Sequence, residues 1–252
     1  MNVFTRATVF LSLIMFSALP AMSETAHDGE YYFEQMRISM LETLTENQKL
    51  INTGQDGAPK TEKLKPEAVY TGAYEIFEKN VGKDFKLSQI KGETDVKKIA
   101  PVLAELLQAG RIAIARAQKD INREADGSVK LKKFIPAVFG SLVIRRFTEK
   151  TGILMKQTTL GRGAYHVRNP ENAPDEWETA ALKKFMASGW EPNKGIGVSE
   201  GNKYRYAKPI YIKKGCLACH GVPVGEKGPY GHPKEGYKVG EIRGCISVTL
   251  PK

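Results

Sequence analysis

Cys216-Leu217-Ala218-Cys219-His220 is the segment of this 252-residue chain whose residue types and spacing point to a defined chemistry. Two cysteines separated by two residues and followed at once by histidine form the C-x-x-C-H pattern of covalent c-type haem attachment. Each thiol adds across one porphyrin vinyl group, and a tight turn brings both sulfurs over those vinyls. The adjacent His220 is then held beneath the iron as the proximal ligand. One such motif implies one covalent haem c per chain, with Cys216, Cys219 and His220 as its binding residues. Two other chemistries share part of the pattern. A tetrahedral zinc site needs two further ligands, normally a second close pair, and the chain offers Cys245 and isolated histidines. A thioredoxin-like dithiol needs a helix after the motif, whereas Pro223, Gly225, Gly228, Pro229 and Gly231 follow. Zinc and dithiol readings are therefore the lesser alternatives.

The sixth coordination position decides between electron transfer and gas binding, because a strong distal ligand blocks diatomic molecules. Met36, Met40, Met155, Met186, His166, His232 and Cys245 are the candidates. His166 leads, since it precedes the Asn169-Pro170 break and a loop there can aim it inward. Methionines at helical spacing are usually core filler, and Cys245 alternates with Ile246 and Val248 as a buried, inert thiol would. An open iron with His166 as an acid–base group would instead suit a peroxidase-like enzyme. No Ser-His-Asp order, paired-carboxylate motif, Walker loop or dinucleotide fingerprint stands out, so electron transfer or sensing is expected ahead of catalysis.

The compartment is read from the other end of the chain. Arg6 and the apolar run Ala7 to Leu19, followed by Pro20 and Ala21-Met22-Ser23, have the pattern of a cleaved secretory signal peptide at residues 1–23. No later segment has eighteen consecutive apolar residues. The mature protein is expected in the periplasm, without stable membrane insertion, where haem is attached to reduced thiols.

Three elements of arithmetic bound the rest. A composition of 41% hydrophobic and 26% charged residues is that of a globular protein, and three cysteines cannot build a disulfide scaffold. The formal charge of +10 comes from basic residues spread along the chain, including Lys132, Lys133, Arg145, Arg146, Lys183, Lys184, Lys213 and Lys214. This is either a solvated surface or a positive rim for an acidic redox partner. Nucleic acid is not an expected partner of an exported protein.

The elements that must position the motif divide into a helical front, residues 24–152, and a mixed rear, residues 153–252, with 24–252 expected as one compact unit. The spacing predicts a long helix from Glu30 to Thr53, a linker from Gly54 to Lys65, and a short helix opened by Pro66. Ile99, Leu103, Leu106, Ile114, Ala117 and Ile121 mark one face of a third helix, with Pro101 in its first turn and Asp126-Gly127 closing the connection. A fourth helix carries Ile135, Val138, Phe139, Leu142, Val143 and Phe147 and ends near Gly152. Strands are predicted in Ile153 to Leu160, Tyr204 to Ile212 and Glu241 to Leu250. A helix capped by Asn172 or Asp175 runs to Met186, and Gly189 to Val198 reads as loop.

Five segments occur in a telling order: Ala109-Gly110-Arg111 to Asn122, Phe134 to Phe139, Arg168-Asn169-Pro170 to Glu178, the Cys216 to Gly221 motif, and Lys234-Glu235-Gly236-Tyr237 to Gly244. In this the chain, from about Tyr31 to its end, resembles the exported bacterial family of single-haem, c-type PAS-like domains of unknown function. Its members stand alone or serve as sensor modules. The resemblance implies an α+β fold, with N-terminal helices packed on a PAS-like antiparallel sheet that carries a c-type haem. It implies redox sensing, sensing of a small diatomic gas, or one-electron transfer. The partner would be an acidic redox protein or a separate signalling protein, since no output domain follows residue 252. Some relatives are expected to use a cysteine of an early helix as distal ligand, but no cysteine precedes Cys216 here.

Overall fold

The computed structural model describes residues 29–51, 64–82, 96–121 and 134–252. Residues 1–23, expected as a signal peptide, and the Asp126-Gly127 connection lie outside them, as does nearly all of the Gly54–Lys65 linker. The helical front contains α1 (Gly29–Glu46), a short α2 (Gln48–Ile51), α3 (Pro66–Val81), α4 (Val96–Ile121) and α5 (Pro136–Thr151). The rear contains β1 (Met155–Thr158), α6 (Glu176–Met186), β2 (Ile196–Glu200), β3 (Lys203–Tyr211), the short α7 (Leu217–His220) and β4 (Ile242–Pro251). The fold is α+β. Among the described residues no helix is long and apolar enough to cross a membrane.

Local chemistry accounts for most boundaries. Pro66 and Pro136 occupy the first turns of α3 and α5, where a missing N–H costs nothing. Gly152 ends α5 in the left-handed conformation (φ 70°), its N–H donating to the Thr148 carbonyl at 2.9 Å. Asp175 caps α6 through a reciprocal capping box with Glu178. Two helix expectations need correction. The long first helix breaks at Asn47, whose side-chain amide donates to the Thr43 carbonyl at 2.8 Å and competes with the helical ladder. Pro101 lies inside α4 rather than in its first turn.

The four strands form one antiparallel sheet in the order β1-β4-β3-β2. One face packs against the helical front. Met155, Tyr206, Ile246, Val248 and Leu250 join Phe33, Phe147, Leu106 and Ile114 in a single core. The other face carries Ala207 and Cys245 against Ala181, Leu182 and Phe185 of α6. Lys156 holds Glu178 at 2.6 Å, and Arg205 pairs with Asp175, which pins α6 to the sheet.

The edge strand β2 occupies part of the segment expected to be loop. Gly195 and Gly197 suppressed any strand signal there, but the Tyr206 and Tyr204 rings lie directly over these glycines and fill the place of their missing side chains. Pro209 is tolerated in β3 because it lies beyond the end of β2, where no ladder partner stands on that side.

Candidate functional site

The cysteine-histidine motif sits on the connection between β3 and β4. A 3-10 turn (Lys214–Cys216) runs directly into α7, so the five residues wind through one short helical stretch. The Lys213 N–H donates to Cys216 Sγ at 3.4 Å, and the Gly221 N–H closes the turn on the Leu217 carbonyl at 2.9 Å. All three cysteines carry free thiols.

The chain then loops away and returns against the motif. The Gly236 N–H donates to the Gly221 carbonyl at 2.9 Å and the Tyr237 N–H to the His220 carbonyl at 2.8 Å. These two bonds deliver Glu235 to the imidazole. Its carboxylate, 4% exposed, places Oε2 2.7 Å from His220 Nδ1 and accepts from Arg168 at Oε1, 2.8 Å away. Arg243 lies 3.7 Å from the same oxygen. The His220 ring meets Tyr237 edge-on, with centroids 6.3 Å apart, and the Arg162 guanidinium covers the Tyr237 ring at 4.6 Å.

This arrangement defines the imidazole's state. Burial disfavours the charged form and lowers the His220 pKa, with the Glu235 hydrogen bond opposing and Arg243 reinforcing. A carboxylate accepts only, so in the neutral ring Nδ1 carries the proton and Nε2 presents its lone pair. A metal-ligating histidine is oriented in this way. Burial also raises the Cys219 thiol pKa, with Arg168 pulling it back.

Cys219 and His220 face a cavity of about 670 Å³. The return loop adds Gly228, Tyr230 and His232, and the sheet adds Gln157, Ile210 and Gly244. The helical wall comes from α5: Val138, Ser141, Leu142 and Arg145. Val138, named among the apolar residues of this helix, is 39% exposed, because Phe139, Val143 and Phe147 take the core side of α5. An uncovered apolar wall facing an anchored imidazole and a free thiol fits a flat, largely apolar macrocycle with an iron to ligate. Cys216 does not line the cavity; it lies one helical turn away on the same stretch.

The distal candidates are dispersed. Met36, Met40 and Met155 are buried in the main core, with Met40 packed against Gly110, and Met186 is exposed at the end of α6. Cys245 is fully buried on the α6 side, its thiol pKa pushed up to about 12 by burial, as an inert packing residue requires. His166 is exposed, just after the Arg162–Tyr165 bridge, and is not among the residues lining the cavity, whereas His232 is. His232 belongs to the loop that packs on the motif: its carbonyl accepts from Gly228, which lies against Cys219. Reading the sequence missed Glu235, Arg168, Tyr237 and Arg243 as site residues. The available signal was weak: Glu235 is one of two acids, with Glu226, in the glycine-rich segment just beyond the motif.

Fold and site together define an α+β protein with a C-x-x-C-H turn anchored by a buried carboxylate at the rim of a cavity. Residues 35–251 match the family described as Tll0287-like, and the chain belongs to that family. This agrees with the family resemblance carried by the sequence motifs. Among solved structures, the crystal structure of the cyanobacterial haem protein Tll0287 is similar at 20% identity, covering 63% of this chain and 98% of that one with a TM-score of 0.43. No curated protein matches.

Proposed function

We propose that the chain is an exported, periplasmic haem protein that holds one haem c through thioethers to Cys216 and Cys219, with His220 Nε2 as proximal iron ligand. The haem would supply one-electron Fe(III)/Fe(II) exchange with a redox partner, as an electron carrier or redox sensor. The observation that carries this reading is the His220 Nδ1–Glu235 contact of 2.7 Å at the edge of the cavity, since it spends one ring nitrogen on the protein and leaves the other for iron.

The residues divide the work. Glu235 fixes the ring's tautomer and rotation, and Arg168 fixes Glu235. Tyr237, braced by Arg162, limits tilt of the imidazole. Val138 and Leu142 of α5 would give the bound haem an apolar wall of the cavity.

The test is expression in a host with a c-type haem maturation system, followed by a haem stain of a denaturing gel. Haem that migrates with the chain and a pyridine haemochrome spectrum of the two-thioether type are expected. Cys216→Ala should give a one-thioether spectrum, and His220→Ala should alter iron ligation while haem stays attached. A colourless exported protein, or haem lost on denaturation, would overturn the proposal.

A further inference from the structure

A second concavity, of about 210 Å³, lies between α4 and α5. Arg116 of α4 and Arg145 and Arg146 of α5 line it, over an apolar base of Ile112, Ala113 and Leu142, with Glu149 as its acidic member. Elsewhere the surface arginines are matched: Arg111 to Glu67, Arg162 to Glu241, Arg168 to Glu235 and Arg205 to Asp175. Among the described residues, the three arginines of the cleft have no ion-pair or hydrogen-bond partner. Three guanidinium groups crowded in one concavity repel one another, and carboxylates meeting their planar forks relieve that cost.

The cleft adjoins the site. Arg145 and Leu142 line both concavities, and the exposed Val138 lies one turn before Leu142 on the same helix. An apolar spot beside a basic rim is the anatomy of a protein-docking surface. Arg116 and Arg145 are exposed, so a free anion here would stay hydrated and screened. A protein surface that also covers Val138 excludes that water.

We propose that this arginine cleft docks the carboxylate side chains of an acidic redox partner and seats it beside the cavity. The proposal rests on the haem reading above and locates its partner. The probe is a labelled polyglutamate peptide, followed by fluorescence anisotropy against the haem-loaded protein at low ionic strength. The R116Q/R145Q/R146Q variant should weaken binding about tenfold or more, and slow oxidation of the reduced protein by anionic hexacyanoferrate(III) comparably. The charge-matched variant K183Q/K184Q/K194Q, on and just beyond α6, should stay within about twofold of the parent protein. Unfolding midpoints of both variants check that these surface changes leave the fold intact.

An equal loss in the lysine variant would show a general charge effect and overturn the cleft. So would peptide binding that ignores the arginines, or its complete displacement by millimolar inorganic phosphate, which would mark a site for a small free anion. A negative haem stain strikes the haem reading, whereas a flat anisotropy comparison strikes the cleft, so the two failures are distinguishable.

Discussion

Replacing Glu235 tests the site where sequence and structure meet. Its carboxylate is nearly buried and serves two partners, His220 at 2.7 Å and Arg168 at 2.8 Å. Arg168 is 38% exposed, so its share is screened and worth no more than about 1 kcal/mol. The bond to His220 is charge-assisted and buried, worth about 1.5–3 kcal/mol. Glu235→Ala should therefore cost about 3 kcal/mol, at the low end for breaking a buried polar pair. For a protein of this size that lowers the thermal midpoint by roughly 6–12 °C. Glu235→Gln keeps an acceptor for Nδ1–H and loses only the charge, so about 1–2 kcal/mol is expected. Circular dichroism melts of the haem-loaded protein read this order, with parent above Gln above Ala. The midpoint potential should rise in both variants, because the imidazole loses its anionic partner and donates less to iron. An Ala variant that melts within about 2 °C of the parent at unchanged potential would refute the claim that Glu235 positions His220.

Other outcomes follow from the same structure. In the unfolded, haem-loaded protein iodoacetamide should modify one thiol, Cys245, of the three cysteines, and none in the native state at mild pH, because burial holds that thiol near a pKa of 12; mass spectrometry counts the adducts. Asp175 is pulled two ways: burial raises its pKa, but the Glu178 N–H and Arg205 outweigh that and hold it below the usual carboxylate range. Its contribution is therefore complete above about pH 4, its unfolded value, and is lost as pH falls through the lower folded value. Asp175→Ala should cost about 1 kcal/mol in urea melts at pH 7 and flatten stability against pH in that acid window. At Gly244 an added methyl would run into the Thr158 carbonyl across the β1–β4 pair, so Gly244→Ala should cost about 1–3 kcal/mol or more in the same melts. Phe147→Ala empties a fully buried position where α5 meets α1 and should cost about 3–5 kcal/mol.

The helical front was legible because its signals are local. Apolar residues of α4 recur at three and four positions, proline opens α3 and α5, and glycine ends α5; all of these act within one or two turns. What stayed hidden depends on distant residues. Gly195 and Gly197, at the start of β2, read as loop until Tyr206 and Tyr204 of the neighbouring strand cover them. Val138 reads only as one of the apolar residues of α5 until the fold turns it to the cavity. The cysteine-histidine motif was readable because its residues are contiguous. Glu235 was not, since its role exists only once the return loop hydrogen-bonds to residues 220 and 221. Ranking the distal candidates required burial, which spacing alone does not supply.

The strand order has a consequence for timing. β4 is an interior strand, pairing with both β1 and β3, yet it is the element furthest along the chain. The β2–β3 hairpin can close by itself, but β1 stays without a neighbour and both faces of the sheet stay open until residues 242–251 arrive. The thiols at 216 and 219 emerge before that happens. On the haem reading proposed above, an enzyme joining haem to them would meet an accessible turn before the pocket is complete. Insertion of β4 would then act as the closing bolt, locking whatever the turn carries between the helices and the completed sheet.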